Sequence, residues 1–409
     1  MKQRKRADEH RRRRADQGQA GSTVEVLIER ILPGGVGLAH AGGQTILVGL
    51  AAPGDRLRVR LKYTRGRTAF ASIREILSPS PVRIEPPCPY FGRCGGCDFQ
   101  QLSYEAQLAS KVEIIRDCLR RIAHIEAPAN IPITGSPLAW RYRSRAQWQY
   151  DPQKKHLGYF ERGTHRVCDV VECPVLVPAL QETLTELREQ MQSGLLPQEA
   201  TEFQAVAGDD GTSLAPPAGA RTTREVRRLI GGDDYRFDAE GFFQINHELL
   251  ADLIAAAVRD ARGETAVDLY SGVGLFTLPL AHRFKHVVGV EANPAAIAYA
   301  QRNLAGAHLA NAKVECVTVN EWLQANAERL APVDYVLLDP PRSGVEEGGV
   351  EGILALRPQH ICYVSCDPAT LARDLKGLIA GGYRLDSIAA LDLFPQTHHV
   401  ETVAHLDLK

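Results

Sequence analysis

Thiols are the side chains with the widest chemical reach in this chain, and their number and placement restrict what they do. Nine cysteines is an odd count, and the charged N-terminus does not read as a secretory leader, so metal binding or thiol chemistry is expected in place of a disulfide framework. Cys88, Cys94 and Cys97 are separated by five and then two residues, and Gly92, Gly95 and Gly96 let the backbone wrap an inorganic core. This spacing does not match the three-and-two pattern of radical adenosylmethionine enzymes. A fourth thiolate from Cys173 or Cys168 would complete a set suited to zinc or to a [4Fe–4S] cluster.

Cys366 stands apart. It follows the apolar run His360–Val364, where a strand releases into a turn, and Pro368 then starts a helix whose N-terminal dipole favours a thiolate. Cys316 and Cys362 read instead as small buried hydrophobes on strands. Glu401, just before the strand Val403–Leu406, is a candidate general base. The adjacent His398 and His399 lack a further ligand at metal spacing.

Two more strand ends carry chemistry. After Val267-Asp268-Leu269-Tyr270, Gly272 and Gly274 let the backbone turn closely past a ligand and open a helix N-terminus. The next strand closes on Glu291, an acid placed to accept from ribose hydroxyls. Two glycines, where a dinucleotide fingerprint has three, favour a nucleoside cofactor without a pyrophosphate, for which S-adenosylmethionine is the natural candidate. Asp339-Pro340-Pro341-Arg342 ends the fourth strand, and it resembles the Asp/Asn-Pro-Pro sequence that in similar folds holds the polar edge of a planar substrate ring.

These motifs need a scaffold. From about Asn246 the chain alternates helix and apolar strand, with strands at Thr265–Leu269, His286–Val290, Lys313–Thr318, Tyr335–Leu338 and His360–Val364. That rhythm predicts an α/β domain with a mostly parallel sheet covered on both faces and its site at the strand C-termini. Upstream, the alternating runs Val24–Ile31, Thr45–Val48, Arg56–Lys62 and Thr68–Ile76, punctuated by glycine turns, predict a five-stranded OB-like β-barrel over 22–80. Lys62, Arg65, Arg67, Arg74, Tyr63 and Phe70 would suit an oligonucleotide-facing surface on it. A helix is expected over Tyr104–Ile122 with Leu108, Val112, Ile115 and Leu119 on its buried stripe. Between Trp140 and Val171, aromatic and basic residues interleave in a β pattern, including Tyr142, Trp148, Tyr159, Arg143 and Arg166, as single-stranded RNA binding requires.

Composition agrees. A chain of 409 residues, 44% hydrophobic and 24% charged, supports two or three globular domains and excludes a wholly disordered or collagen-like one. No run approaches the ~20 apolar residues of a membrane span, so a cytoplasmic protein is expected. Residues 1–14 hold eight Lys/Arg against Asp8 and Glu9, a net +6 that leaves −7 for the remainder of a chain of net charge −1. Such a tail, taken over 1–21, reads as disordered and polyanion-seeking.

Together, Phe243-Gln244-Ile245-Asn246, the glycine turn, Asp339-Pro340-Pro341-Arg342, Ser365-Cys366 with the helix start after it, and His399-Val400-Glu401-Thr402 resemble the RNA (uracil-5)-methyltransferase family. The cysteine pattern behind a β-barrel resembles its iron–sulfur branch, which modifies 23S ribosomal RNA, and the likeness spans 22–409. The resemblance implies a TRAM domain over 22–80, a central RNA-binding α+β domain with a [4Fe–4S] cluster over 81–240, and a Rossmann-like adenosylmethionine-dependent catalytic domain over 241–409, with 98–129 packing against the latter. It implies Cys88, Cys94, Cys97 and Cys173, not Cys168, as cluster ligands, because the fourth ligand precedes Pro174-Val175-Leu176. It implies Cys366 as nucleophile, Glu401 as proton acceptor, and Gln244, Tyr270, Glu291, Asn320 and Asp339 around cofactor and target. RNA is the implied partner, with neither membrane nor obligate protein partner. Leu275 and Asp367 depart from the family, where Asn is usual. Rival readings are a transfer-RNA substrate, an RNA nitrogen methyltransferase, and an RNA-binding module without catalysis.

Overall fold

The computed structural model describes residues 21–197, 199–219 and 222–409, so the basic tail lies outside the described residues except for Gly21. The chain divides into two compact units, one running to Asp117 and including Gln396–His398, the other comprising Cys118–Pro395 and His399–Lys409. Among the described residues no helix is long and apolar enough to cross a membrane.

The first unit begins with β1 (Thr23–Leu27), β2 (Arg30–Leu32), β3 (Val36–Ala41), β4 (Gln44–Gly49), β5 (Arg56–Arg65) and β6 (Thr68–Ser78), in sheet order β1-β5-β6-β4-β3-β2. Only two residues separate β1 from β2, yet they sit at opposite ends of that order. They are two halves of one bent strand, and the sheet curls into a five-stranded barrel. Alternate residues fill it: Leu57, Val59 and Leu61 of β5 meet Val26, Ile46, Val48 and Ala69. β3, absent from the expected strands, joins β4 through Gly42 and Gly43, both at positive φ as a two-residue hairpin turn requires.

Beyond the prolines a helix spans Tyr104–Cys118 and passes into a π turn, Leu119–Ala123, closed by His124 in the left-handed conformation. Of the expected stripe, Ile115 and Leu119 are buried and Leu108 and Val112 only partly so, while Gln107, Ser110, Lys111 and Ile114 are buried as well.

The second unit adds β7 (Ile133–Thr134), β8 (Arg145–Asp151), β9 (His156–Phe160), β10 (Val167–Asp169), β11 (Glu202–Ala207), β12 (Thr212–Ala215), β13 (Thr222–Thr223) and the hairpin β14 (Val226–Ile230) with β15 (Asp233–Phe237). β8 to β13 make one sheet, ordered β10-β9-β8-β11-β12-β13. The aromatic residues expected to stack on RNA here turn inward: Trp148, Tyr142 and Tyr159 are buried, and the Tyr142 hydroxyl donates to the Pro395 carbonyl at 2.8 Å. Their β propensity came from core packing, while Lys154, Lys155, Arg162 and Arg166 remain exposed.

The largest sheet carries β16 (Gly263–Leu269), β17 (Phe284–Glu291), β18 (Ala312–Cys316), β19 (Tyr335–Leu338), β20 (His360–Ser365), β21 (Tyr383–Leu391) and β22 (Glu401–Leu408), ordered β18-β17-β16-β19-β20-β22-β21-β7. β16 to β20 are parallel, and β22 inserts antiparallel between β20 and β21. Strand order reverses between β16 and β19, the crevice where open α/β sheets bind ligands.

Candidate active site

Sheet register assembles the site. Ser365 pairs with Thr402 across β20 and β22, so one further step sets Cys366 opposite Glu401. Because β22 runs against its neighbours, its first residue shares the edge where the parallel strands end. Across such a pair the Cα atoms are roughly 5 Å apart. Leu269 pairs with Val290 and with Leu338, which brings Tyr270, Glu291 and Asp339 to the same edge. The Gln244 amide donates to Asp339 Oδ2 at 3.3 Å. Asn320 lies near the start of the helix Val319–Leu330, which follows β18, and donates to the Glu347 carbonyl at 3.0 Å.

The turn after β16 is shaped for a ligand. Tyr270 has φ +64°, and Gly272 and Gly274 also have positive φ. A Cβ on Gly272 would meet open space, and its N–H donates to Glu291 Oε2 at 3.1 Å. The other Glu291 oxygen accepts from Asn293 N at 2.7 Å. Tyr270 Oη, Ser271 Oγ and Asn320 Oδ1 are buried with no hydrogen-bond partner among the described residues. Buried polar atoms are seldom left unpaired, so these three suit a polar nucleoside ligand.

Charge in the pocket is unbalanced. Burial pushes the Asp339 carboxyl up to about 7 despite its bond from Gln244, and burial and then Asp339 hold Glu401 well above the usual carboxylate range. Asp268, inside β16, is also pushed up to about 7 by burial, opposed by a 2.5 Å bond from Thr277 Oγ1. Cys366 is raised from 9.0 to about 12 by burial, Glu401 and Asp339.

The helix dipole expected to favour a Cys366 thiolate does not govern this thiol. Asp367 is the N-cap, and its carboxylate accepts from Ala369 N at 2.8 Å and Thr370 N at 3.1 Å, so free N–H groups of that helix are already spent. This also gives Asp367 a role that the usual Asn fills equally well. The group favouring thiolate is Arg342, which is within hydrogen-bonding reach of the sulfur and also opposes the rise at Glu401. In the sequence Arg342 stands out only as the end of the Asp339-Pro340-Pro341-Arg342 motif. Its signal was the only cation among the strand-end acids and the thiol.

Other expectations meet different outcomes. Leu275 is buried in the core, and its backbone carbonyl accepts from the Tyr235 hydroxyl at 3.2 Å. Cys362 is buried as expected, but Cys316 is exposed, because it ends the edge strand β18. His398 pairs through Nδ1 with Asp98 Oδ2 at 2.6 Å, and the His399 ring meets Phe394 edge-on. Cys88, Cys94 and Cys97 are half-buried in the first unit, and Gly96 N–H points at Cys94 Sγ at 3.4 Å. Cys173 is half-buried in the second unit, and Cys168 is buried within β10. Among the described residues no three His, Cys, Asp or Glu gather closely enough to hold a metal ion.

Residues 227–409 match the family model for tRNA (uracil-5-)-methyltransferase. The 23S rRNA (uracil(1939)-C(5))-methyltransferase RlmD of Vibrio parahaemolyticus is 30% identical, over 93% of this chain and 94% of that protein. The chain belongs to the RNA (uracil-5)-methyltransferase family. An uncharacterized RNA methyltransferase of Thermosynechococcus vestitus is 32% identical, over 95% of this chain and 98% of its own length. The structure of Pyrococcus abyssi tRNA (uracil-54, C5)-methyltransferase in complex with S-adenosyl-L-homocysteine superposes with a TM-score of 0.71 at 26% identity, covering 93% of this chain and all of that one. As a family member the chain is an adenosylmethionine-dependent RNA methyltransferase, and its Rossmann-like catalytic sheet, behind an N-terminal sheet domain, is the family's.

Proposed function

We propose that this enzyme methylates carbon 5 of a uridine in 23S ribosomal RNA, with Cys366 as nucleophile and Glu401 as proton acceptor. The observation that carries the reading is the register that sets these two side chains opposite each other beside Asp339. Carbon 5 of uracil is too weak a nucleophile to attack a methyl sulfonium. Addition of the Cys366 thiolate to carbon 6 forms an S–C6 bond and moves the ring's C5=C6 pair into an enolate, whose carbon 5 takes the methyl. Glu401 then removes the hydrogen from carbon 5, the double bond returns, and the S–C6 bond breaks to release the thiolate. Bound S-adenosylmethionine supplies the methyl group. Gln244, Tyr270, Glu291, Asn320 and Asp339 hold it and the target base, a role supported by the unpaired polar atoms of Tyr270 and Asn320. A stacked uridine is out of reach, so the base must be flipped or come from a loop.

Around this core, 22–80 is a TRAM-like barrel, 81–240 a central RNA-binding domain and 241–409 the catalytic domain. By the family resemblance Cys88, Cys94, Cys97 and Cys173 would be the ligands of a [4Fe–4S] cluster, although among the described residues they do not gather into a metal-holding group.

RNA carrying 5-fluorouridine, which cannot lose a proton from carbon 5, tests the chemistry. The wild type is expected to trap a covalent adduct and Cys366→Ala to trap none while still binding adenosylmethionine. With ordinary RNA, Glu401→Gln is expected to accumulate methylated, protein-linked product. Turnover by Cys366→Ala would rule the mechanism out, and 5-methyluridine appearing in transfer RNA but not in 23S RNA would reassign the substrate.

A further inference from the structure

Between the end of β19 at Leu338 and the helix Gly349–Ala355, residues 339–348 form neither strand nor helix. Arg342 lies in this stretch, and the backbone before it has little to hold it. Asp339 N donates to the Leu269 carbonyl at 3.3 Å, but Pro340 and Pro341 have no N–H to give. Gly344 N donates back to the Pro341 carbonyl at 2.8 Å, closing a turn with Arg342 and Ser343 at its tip. A turn closed on itself fixes its own shape and not its direction, which is left to the residue that follows.

That residue, Val345, is buried and held from the helix Pro368–Ala380. Its N–H donates to Asp374 Oδ2 at 2.9 Å, and its carbonyl accepts from the Arg373 guanidinium at 3.1 Å. Asp374 is 4% exposed; the Tyr363 hydroxyl of β20 donates to its Oδ2 at 2.7 Å and Arg373 Nε to its Oδ1 at 2.7 Å. A carboxylate so buried costs free energy unless charge and hydrogen bonds meet it, so the set holds as a unit. Gly344 shows how closely the turn is pressed on: it has φ +75°, and a Cβ there would strike the Arg373 guanidinium and come within 2.7 Å of Asp374 Oδ2. The N-cap of the same helix is Asp367, next to Cys366. One helix therefore references both the thiol, at its N-terminal end, and the turn carrying Arg342, about two turns along. From Val345 back to Arg342 is a three-residue tether of at most ~10 Å.

We propose that Asp374 and Arg373 are positioning residues for Arg342: by clamping Gly344–Val345 to the helix that follows Cys366, they hold the guanidinium beside the thiol it helps to ionise. This rests on the reading above of Cys366 as nucleophile. Every residue of the clamp belongs to the second unit. The far end of the stretch has a hold of its own, Asn320 donating to the Glu347 carbonyl, so loosening Val345 frees the Arg342 end in particular.

The test follows alkylation of Cys366 by iodoacetamide at fixed pH in the full-length protein, read by peptide mass spectrometry. Gly344→Ala changes no charge and drives the turn off the helix. Arg373→Met, at a half-exposed position that folding tolerates, removes the bonds to Asp374 and to the Val345 carbonyl. Each is expected to slow alkylation about fivefold, most of the effect of removing the Arg342 guanidinium itself. In an Arg342→Met background neither should slow it by more than about twofold further, since a clamp acts only through the cation it places, whereas a direct field of the Arg373 charge would persist. With 5-fluorouridine RNA at saturating adenosylmethionine, adduct formation by Gly344→Ala should slow by a similar factor. Alkylation at the wild-type rate in either single variant would overturn the clamp. So would losses that add in full to that of Arg342→Met, because they would mark a structural or purely electrostatic role. Adduct formation by Cys366→Ala would instead overturn the reading of the nucleophile, and the clamp's part in the reaction with it.

Discussion

The ionisation of Cys366 is the property of this site most open to direct measurement. Its thiol is raised from 9.0 to about 12 by burial and by the carboxyls of Glu401 and Asp339, a cost to the thiolate of about 4 kcal/mol. At pH 8, on the order of one ligand-free molecule in ten thousand then carries the thiolate. Since the thiolate is the form that alkylates, modification of Cys366 by iodoacetamide should climb about tenfold per pH unit from 7 to 10 without levelling. Peptide mass spectrometry separates Cys366 from the other eight cysteines. Arg342 is the cation that offsets this rise, so Arg342→Met should slow alkylation further. A charge-assisted bond contributes ~1.5–3 kcal/mol, but the guanidinium is solvent-exposed and screened, which points to the lower end, roughly tenfold. Adenosylmethionine, which is cationic at sulfur, should speed the reaction at fixed pH relative to adenosylhomocysteine, which fills the same space without the charge. A rate that levels below pH 9, or that ignores Arg342→Met, would refute this account of the pocket's electrostatics.

Asp339→Asn should stabilise the fold while methyl transfer fails. The Asp339 carboxyl is raised from 3.8 to about 7, so its ionisation in the folded state costs stability as pH climbs past 3.8, and denaturant unfolding should show a gain of at most about 4 kcal/mol at pH 8 that shrinks toward pH 4. His405 works in the opposite sense: burial lowers it from 6.5 to about 4, with its Nε2 held at 2.8 Å from the Ala256 carbonyl, so stability is lost as pH falls below 6.5. The wild type should lose about 3 kcal/mol by pH 4 relative to His405→Leu, and parallel pH profiles would contradict this. For the proposed cluster, anaerobically purified protein should carry about four irons per chain and Cys97→Ser far fewer, whereas stoichiometric zinc would reassign the cysteines.

The parallel sheet was legible because its strands are continuous apolar runs, Tyr335–Leu338 among them, and each strand-end motif sits where the run stops. β3 was not, because Val36–Ala41 carries a glycine and alternates weakly, and its strand character comes from pairing with β2 and β4 on either side. The helix Tyr104–Cys118 was legible and so was part of its buried stripe, Ile115 and Leu119, but periodicity counts apolar residues and did not reveal the buried Gln107, Ser110 and Lys111. The aromatic–basic segment misled for a related reason: an aromatic residue in a strand serves a core as well as a nucleic acid, and composition does not report which way Trp148 points. At the site, the residue types were readable and the register was not. The step from Ser365–Thr402 to Cys366–Glu401 joins residues far apart in sequence.

That pairing carries a constraint of its own. Asp268 and Glu401 are buried carboxyls and Asp339 a half-buried one; Asp339 raises Asp268, Glu401 and Cys366, and Glu401 raises Cys366, with Arg342 opposing at Glu401 and Cys366. A pocket so short of positive charge keeps the Cys366 thiol protonated, and on the proposed role this would protect the nucleophile from adventitious alkylation and oxidation. On the proposed reading, the sulfonium of a bound methyl donor would supply the missing charge, and the neutral thioether of its product would not. Each carboxyl therefore disfavours the thiolate in the empty pocket and favours the cationic donor over its product.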